Sequence, residues 1–139
     1  DPKIAVGTVI RLNDDIVLVR RAIEPGYGKW VFPGGFVDRG ELVAEAAVRE
    51  TLEEVNLRVG ISGILDAYSF PGSPVIVVVY AADVLGGELA AGDESLEVRL
   101  FPPEDLPWDE LAFESTRAAL RDYVHRFFPR VRLPRLAGE

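Results

Sequence analysis

The sequence predicts an α/β fold, a mixed β-sheet held between helices. Three observations lead there. Apolar, β-branched runs such as Val75-Ile76-Val77-Val78-Val79-Tyr80 read as strands. Two segments, Leu42 to Val55 and Glu114 to Phe128, carry apolar residues at helical spacing. Helices interleaved with strands make a sandwich in which both sheet faces need cover.

Lys3 to Arg11 is apolar and β-branched, a buried strand. Asn13-Asp14-Asp15 is a hairpin turn into a second strand, Ile16 to Arg20. Ala22 to Lys29, with Pro25, Gly26 and Gly28, is a loop. Trp30 to Val37 is a short strand broken by Pro33-Gly34-Gly35, and the first helix follows over Leu42 to Val55. Leu42 offers no capping side chain, so the helix start is open. Leu57 to Ser69 and Pro74 to Leu85 form a strand pair joined around Pro71-Gly72, with Val75 to Tyr80 central in the sheet. Leu96 to Phe101 is a further strand. Glu114 to Phe128 is the second helix, with Leu111, Phe113, Ala118, Leu120, Tyr123, Val124 and Phe127 as core or interface residues, and Pro129 ends it. The expectation is one domain over residues 1–128, then a basic, proline-bearing and loosely ordered tail over 129–139.

The first helix carries the chemistry. At about 100° per residue, Glu53 lies at about −60° and Glu54 at about +40° from Glu50. Ala44, Val48, Thr51, Leu52 and Val55 fall at about 100–200°, the expected core face. Arg49 can pair with Glu53 or with Glu45 at a spacing of four. Three like charges in one wedge repel, and a hard divalent cation relieves the repulsion; Mg²⁺ takes oxygen ligands and shares carboxylates with substrate phosphates. A solvated acidic face is the plain alternative. The Pro33-Gly34-Gly35 turn just upstream and the spacing to Glu41 favour the metal site.

Gly35, Glu41, Arg49, Glu50, Glu53, Glu54 and Leu57 fit the spacing G-x5-E-x7-R-E-U-x-E-E-x-G-U, with U bulky and apolar. This resembles the signature of the Nudix hydrolases, and the likeness runs along essentially the whole chain. Thr51 departs at a U position, and Asn56 departs at the glycine, where a left-handed residue is needed. The resemblance implies a Nudix-type α/β/α sandwich and cleavage of a nucleoside diphosphate linked to another moiety. It implies Glu50 and Glu54 as main ligands of Mg²⁺ (Mn²⁺ as a substitute), and Glu53 as a further ligand or helper of the water. It implies the Gly34 carbonyl in the metal shell, Arg49 orienting a glutamate, and Glu41 bracing loop and helix. Relatives of this kind are often homodimers.

Arg20 to Pro25, Glu94 to Phe101 and Leu106 to Phe113 look like one subgroup. It includes zinc-ribbon-bearing bacterial members and plant FAD diphosphatases related to ADP-ribose diphosphatases. This chain has no cysteine and so no ribbon of its own, and it has Gly34 where many of the subgroup have Ala. The resemblance puts ADP-ribose, FAD or NADH-like substrates first and oxidised nucleoside triphosphates second. A sensor of the same fold without turnover is the rival from another class; such modules commonly lose glutamates that are all kept here.

Outside the signature, the resemblance points to Glu94, in preference to Glu97, as a late metal ligand or base. A solvated loop carboxylate is the bland reading of each. Of Arg20 and Arg21, strand alternation aims one at the diphosphate, with surface charge the alternative. Tyr27 and Tyr68 are candidates to stack a base or flavin, whereas Trp30 and Phe70 read as core. His125, the only histidine, lies on the second helix, away from this chemistry.

Composition sets bounds. A chain of 139 residues suits one core. Its net charge of −8 argues against long nucleic acids, while a nucleotide-type small molecule can be met through cations. No apolar run approaches the ~20 residues that span a bilayer, and no membrane partner is expected. Zero cysteines and no leader-like segment make the cytoplasm the expected compartment. The chain contains no Met, so a processed start or an upstream ribbon stays open.

Overall fold

The structure, a computed structural model, describes residues 2–135. Seven strands form one mixed sheet: β1 (Lys3–Leu12), β2 (Asp15–Arg21), β3 (Trp30–Val31), β4 (Gly34–Phe36), β5 (Leu57–Tyr68), β6 (Val75–Gly87) and β7 (Ser95–Phe101). Two helices accompany them, α1 (Val43–Val55) and α2 (Glu114–Phe127). The main path runs β3-β2-β1-β6-β5, with β4 beside β1 and β7 beside β2. Among the paired strands of the described residues, β1 and β6 alone run parallel; β6 is internal, between β1 and β5. Asn13 and Asp14 take positive φ (52° and 67°), which makes the tight β1–β2 hairpin that their short polar side chains tolerate.

Strand alternation divides the core. Val9, Ile16 and Leu18 pack with Leu120, Tyr123 and Val124 of α2. Ile10, Val17 and Val19 pack with Val55 of α1, and Val6 packs with Ala46 and Ala47. The α/β/α sandwich therefore follows from period-two burial on strands that are apolar on both faces.

Several expectations change. Leu52 is about half exposed, while the buried residues of α1 are Ala46, Ala47, Thr51 and Val55. The buried arc therefore turns toward Glu50 and Glu54, because α1 packs on β1, β4 and β5 together. The break after Trp30-Val31 falls at Phe32-Pro33, and the two glycines themselves form β4 with Phe36. The tail is not loose over residues 130–135: Val131 and Leu133 pack on the α2 core, and Arg121 donates to the Pro134 carbonyl. Residues 136–139 of that expectation lie outside the described residues. Phe127, expected as a core or interface residue, is 38% exposed and so lies outside the core.

Candidate active site

Strand β4 brings the glycines against α1. Val6 pairs with Gly35 and Gly7 with Gly34. A Cβ on Gly34 would collide with the Val6 carbonyl, so the alanine found in similar sequences does not fit here without moving β1. A Cβ on Gly35 would overlap the Glu50 carboxyl group. The glycine thus lets a strand pass within contact of an acid. Gly35→Ala is expected to push the Glu50 carboxylate aside by about 1 Å and to lower kcat about a hundredfold with little loss of melting temperature. Kinetics and thermal melts of the variant check this; wild-type turnover would mean that the position of Glu50 does not matter.

Arg49 is the hub of the acidic cluster. Its Nε and Nη2 donate to the two oxygens of Glu41 at 2.7 and 3.0 Å, a bidentate fork. Its Nη1 donates to Glu50 at 2.9 Å and to Glu53 at 3.2 Å, and Nη2 reaches the Phe36 carbonyl at 3.2 Å. These bonds hold the guanidinium charged, its pKa raised above the usual value, chiefly through Glu41. The Arg49 fork and then the Asp38 amide hold Glu41 below the usual carboxylate range. The Asp38 amide donates to Glu41 at 3.0 Å, so Glu41 ties the loop to the helix. Glu45 is not among the partners of Arg49.

The three helix glutamates are not equivalent. Glu53 is 57% exposed in its side chain, and Glu50 is 16% exposed. Burial raises Glu50, and Arg49 opposes that rise. Glu54 is pushed up to about 8, first by burial and then by the charges of Glu50 and Glu94. The Gly34 amide and Arg21 pull it back in part. Phe36, two residues from Gly34 along β4, turns its carbonyl to Arg49, and by alternation the Gly34 backbone faces the same side. Among the described residues no three acids or imidazoles already stand at the spacing of a complete metal cage. A hard cation needs less, since one or two carboxylates with waters and phosphates serve it. A buried carboxylate facing two further acids fits such a guest.

This predicts a pH dependence. With its pKa above that of the unfolded chain, Glu54 keeps its proton when folded, so that stability is lost as pH rises from about 4.5 through about 8. A divalent cation relieves the loss. Added Mg²⁺ should therefore raise the melting temperature by several degrees more at about pH 8.5 than at about pH 5.5, as calorimetric scans would read. An equal shift at both would contradict the assignment of Glu54.

The other candidates separate. Arg21 lines the same cleft as Glu54, with Nε on the Pro25 carbonyl at 2.7 Å and its guanidinium 5.0 Å from the Phe113 ring centre. Arg20 turns away from that cleft, to Gly28 and Glu97, so the structure does not bring it to the site. Glu97 is held by Arg20 and Arg99 on β7. Glu94 is exposed on a loop docked to α1 by the Gly92 amide on the Glu54 carbonyl (2.9 Å). Tyr27 is exposed, and the cleft does not include it. Tyr68 lines the cleft but is 8% exposed, and its hydroxyl donates to Asp122 at 2.6 Å; it is a fixed wall rather than a free stacking ring. His125 is exposed on α2.

The sequence reading missed Thr8, Asp38 and the first turn of α2. Thr8 and Thr51 share a buried hydrogen bond of 2.7 Å, which satisfies the hydroxyl at the unusual signature position. The cleft, about 700 Å³, runs from Glu54, Arg21 and Gly34 to Tyr68, Phe70 and Phe113. Phe70, read as core, also lines it. A helix start after Phe113 was legible; that it faces Glu54 across one cleft was not, since the two are distant in sequence. Asn56 closes α1 in the left-handed region (φ 59°), as its place in the signature requires.

A mixed sheet between two helices, with glycines of a strand against a helix that carries clustered acids, defines the class, and a match to the NUDIX domain over residues 1–126 places this chain in the Nudix family as a diphosphohydrolase. It is 39% identical over 127 residues to an ADP-ribose pyrophosphatase of Methanocaldococcus jannaschii, covering 88% of this chain and 73% of that one. It is 36% identical over 102 residues to a putative 8-oxo-dGTP diphosphatase of Bacillus subtilis, covering 71% and 66%. The crystal structure of a NUDIX hydrolase from Nitrosomonas europaea superposes with a TM-score of 0.87 at 36% identity, covering 93% of this chain and 73% of that one. Family chemistry uses a divalent cation and small nucleotide substrates, and among the described residues no helix is long and apolar enough to cross a membrane.

Proposed function

We propose that this chain hydrolyses the diphosphate of a nucleoside diphosphate joined to a second moiety, with ADP-ribose first among substrates and Mg²⁺ as the cation. One observation carries the reading: a single cleft joins an end with the Glu54 carboxylate and Arg21 to an end walled by aromatic rings. Those two ends suit a diphosphate and a flat base in one substrate. The 39% identity to an ADP-ribose pyrophosphatase supports the same choice.

Glu50 and Glu54 would hold the cation, with the Gly34 carbonyl beside them. When bound, it cancels charge on phosphate oxygens and lowers the pKa of a water. Arg49 fixes Glu50 and Glu53 in place; Arg21 orients the diphosphate. Glu53 takes a proton from the attacking water at a carboxylate oxygen, with Glu94 as the other acid near the site. Water adds to one phosphorus, the bond to the bridging oxygen breaks, and two phosphomonoesters leave. Positioning and preorganised charge supply most of the acceleration.

A second reading, hydrolysis of oxidised nucleoside triphosphates, has the Bacillus subtilis relative in its favour. Purified protein is to be given ADP-ribose, FAD, NADH and 8-oxo-dGTP in Mg²⁺, with released phosphomonoester or pyrophosphate as readout. The highest kcat/KM is expected for ADP-ribose. A higher value for 8-oxo-dGTP would favour the second reading, and saturable binding without product would mean a sensor.

A further inference from the structure

We propose that the uncapped first turn of α2, with Thr116 in it, reads the nucleobase end of the substrate by offering hydrogen-bond donors to an acceptor atom on the ring. The inference rests on the diphosphohydrolase reading above and adds to it a residue that sets which nucleotide is accepted.

Two independent observations meet there. The residue before the helix, Phe113, is extended (φ −138°, ψ 160°) and supplies no side-chain cap. Among the described residues, the amides of Glu114, Ser115 and Thr116 have no protein acceptor. Separately, the Thr116 hydroxyl is fully buried and without a partner, the only such side-chain atom among the described residues. A native fold rarely leaves a buried hydroxyl unpaired unless something else completes it. Phe113, Glu114, Ser115 and Thr116 all line the cleft that holds Glu54.

The surroundings choose the ligand group. Phe70 and Phe113 stand at this end of the cleft, and among the described residues neither ring pairs with another. The carboxylate of Glu114 in the same turn disfavours a second phosphate. Apolar ring walls with clustered N–H and O–H donors suit a flat, uncharged heterocycle with a ring nitrogen or carbonyl as acceptor. Arg21, over the Phe113 ring, links this end to the diphosphate end. Because Thr116 has no exposed surface, the contact requires a side-chain shift on binding, an ordinary event at such sites.

The test is Thr116→Val, which keeps the shape and removes the hydroxyl. Cleavage of ADP-ribose yields AMP and ribose 5-phosphate, so calorimetric titration with each product separates the two ends of the cleft. For Thr116→Val, the Kd for AMP should rise about tenfold and that for ribose 5-phosphate should stay put. KM for ADP-ribose should rise about tenfold while kcat holds. The melting temperature of the ligand-free variant should rise, since an unsatisfied group is gone. Thr116→Ser should regain the affinity. Unchanged AMP affinity and KM in Thr116→Val, a loss confined to ribose 5-phosphate, or a wild-type protein that does not bind AMP would each overturn the inference. Wild-type protein that binds AMP and hydrolyses none of ADP-ribose, FAD, NADH and 8-oxo-dGTP in Mg²⁺ would sink the diphosphohydrolase reading, leaving the AMP comparison as it stands.

Discussion

Glu54→Gln is expected to lower kcat more than a thousandfold, upwards of about 4 kcal/mol, while making the metal-free protein more stable at alkaline pH. Both effects have one cause. Burial and the charges of Glu50 and Glu94 push the Glu54 carboxyl up to about 8, so the folded chain tolerates its ionised form poorly without a cation. Glutamine has similar shape and no charge. Above about pH 8 the wild type carries a buried carboxylate that the Gly34 amide and Arg21 offset only in part, and the variant does not; near pH 4, both are neutral there and their melting temperatures should converge. In the proposed role the same charge holds the cation, so its removal is expected to cut turnover by that factor. Melting curves across pH with and without Mg²⁺, alongside steady-state rates, test the pair of effects. A variant less stable than wild type at about pH 8.5 would show that Glu54 is satisfied by the protein rather than kept for a guest.

Glu53→Gln should cost several hundredfold in kcat with almost no change in stability at any pH. Glu53 is mostly exposed and is steadied only by Arg49 among the described residues. Surface pairs of that kind add little to folding. What Gln removes is a carboxylate able to take a proton from water. Normal turnover in Glu53→Gln would pass the role to Glu94, which the Gly92 contact places by the end of α1. Adjacent acids on one helix thus have similar kinetic penalties and different stability signatures, because one is inside the fold and the other is outside.

Much of this architecture was legible in the chain. Strand and helix limits agree within a residue or two: α1 at Val43–Val55 against an expected Leu42 to Val55, and β7 at Ser95–Phe101 against Leu96 to Phe101. Those elements have local causes, namely period, turn residues and the proline after α2. The errors share another cause. The angle of Leu52 from the acids puts it on the core face, yet packing on β1, β4 and β5 turns the buried arc of α1 toward Glu50 and Glu54. Tyr68 is a candidate stacking ring because its aromaticity is visible in sequence, whereas its bond to Asp122, 54 residues away, is not. Arg20 and Arg21 were told apart only by the cleft.

The amino-acid order alone determined the strands and helices and the side-by-side glutamates, because each depends on the geometry of a few consecutive residues. The tertiary structure decided which acid is buried, which arginine meets the cleft, that a Cβ at Gly35 would meet Glu50, and that the open start of α2 lines the same cleft as Glu54. Those depend on segments brought together by packing, and burial is a property of the assembled fold that no local window contains.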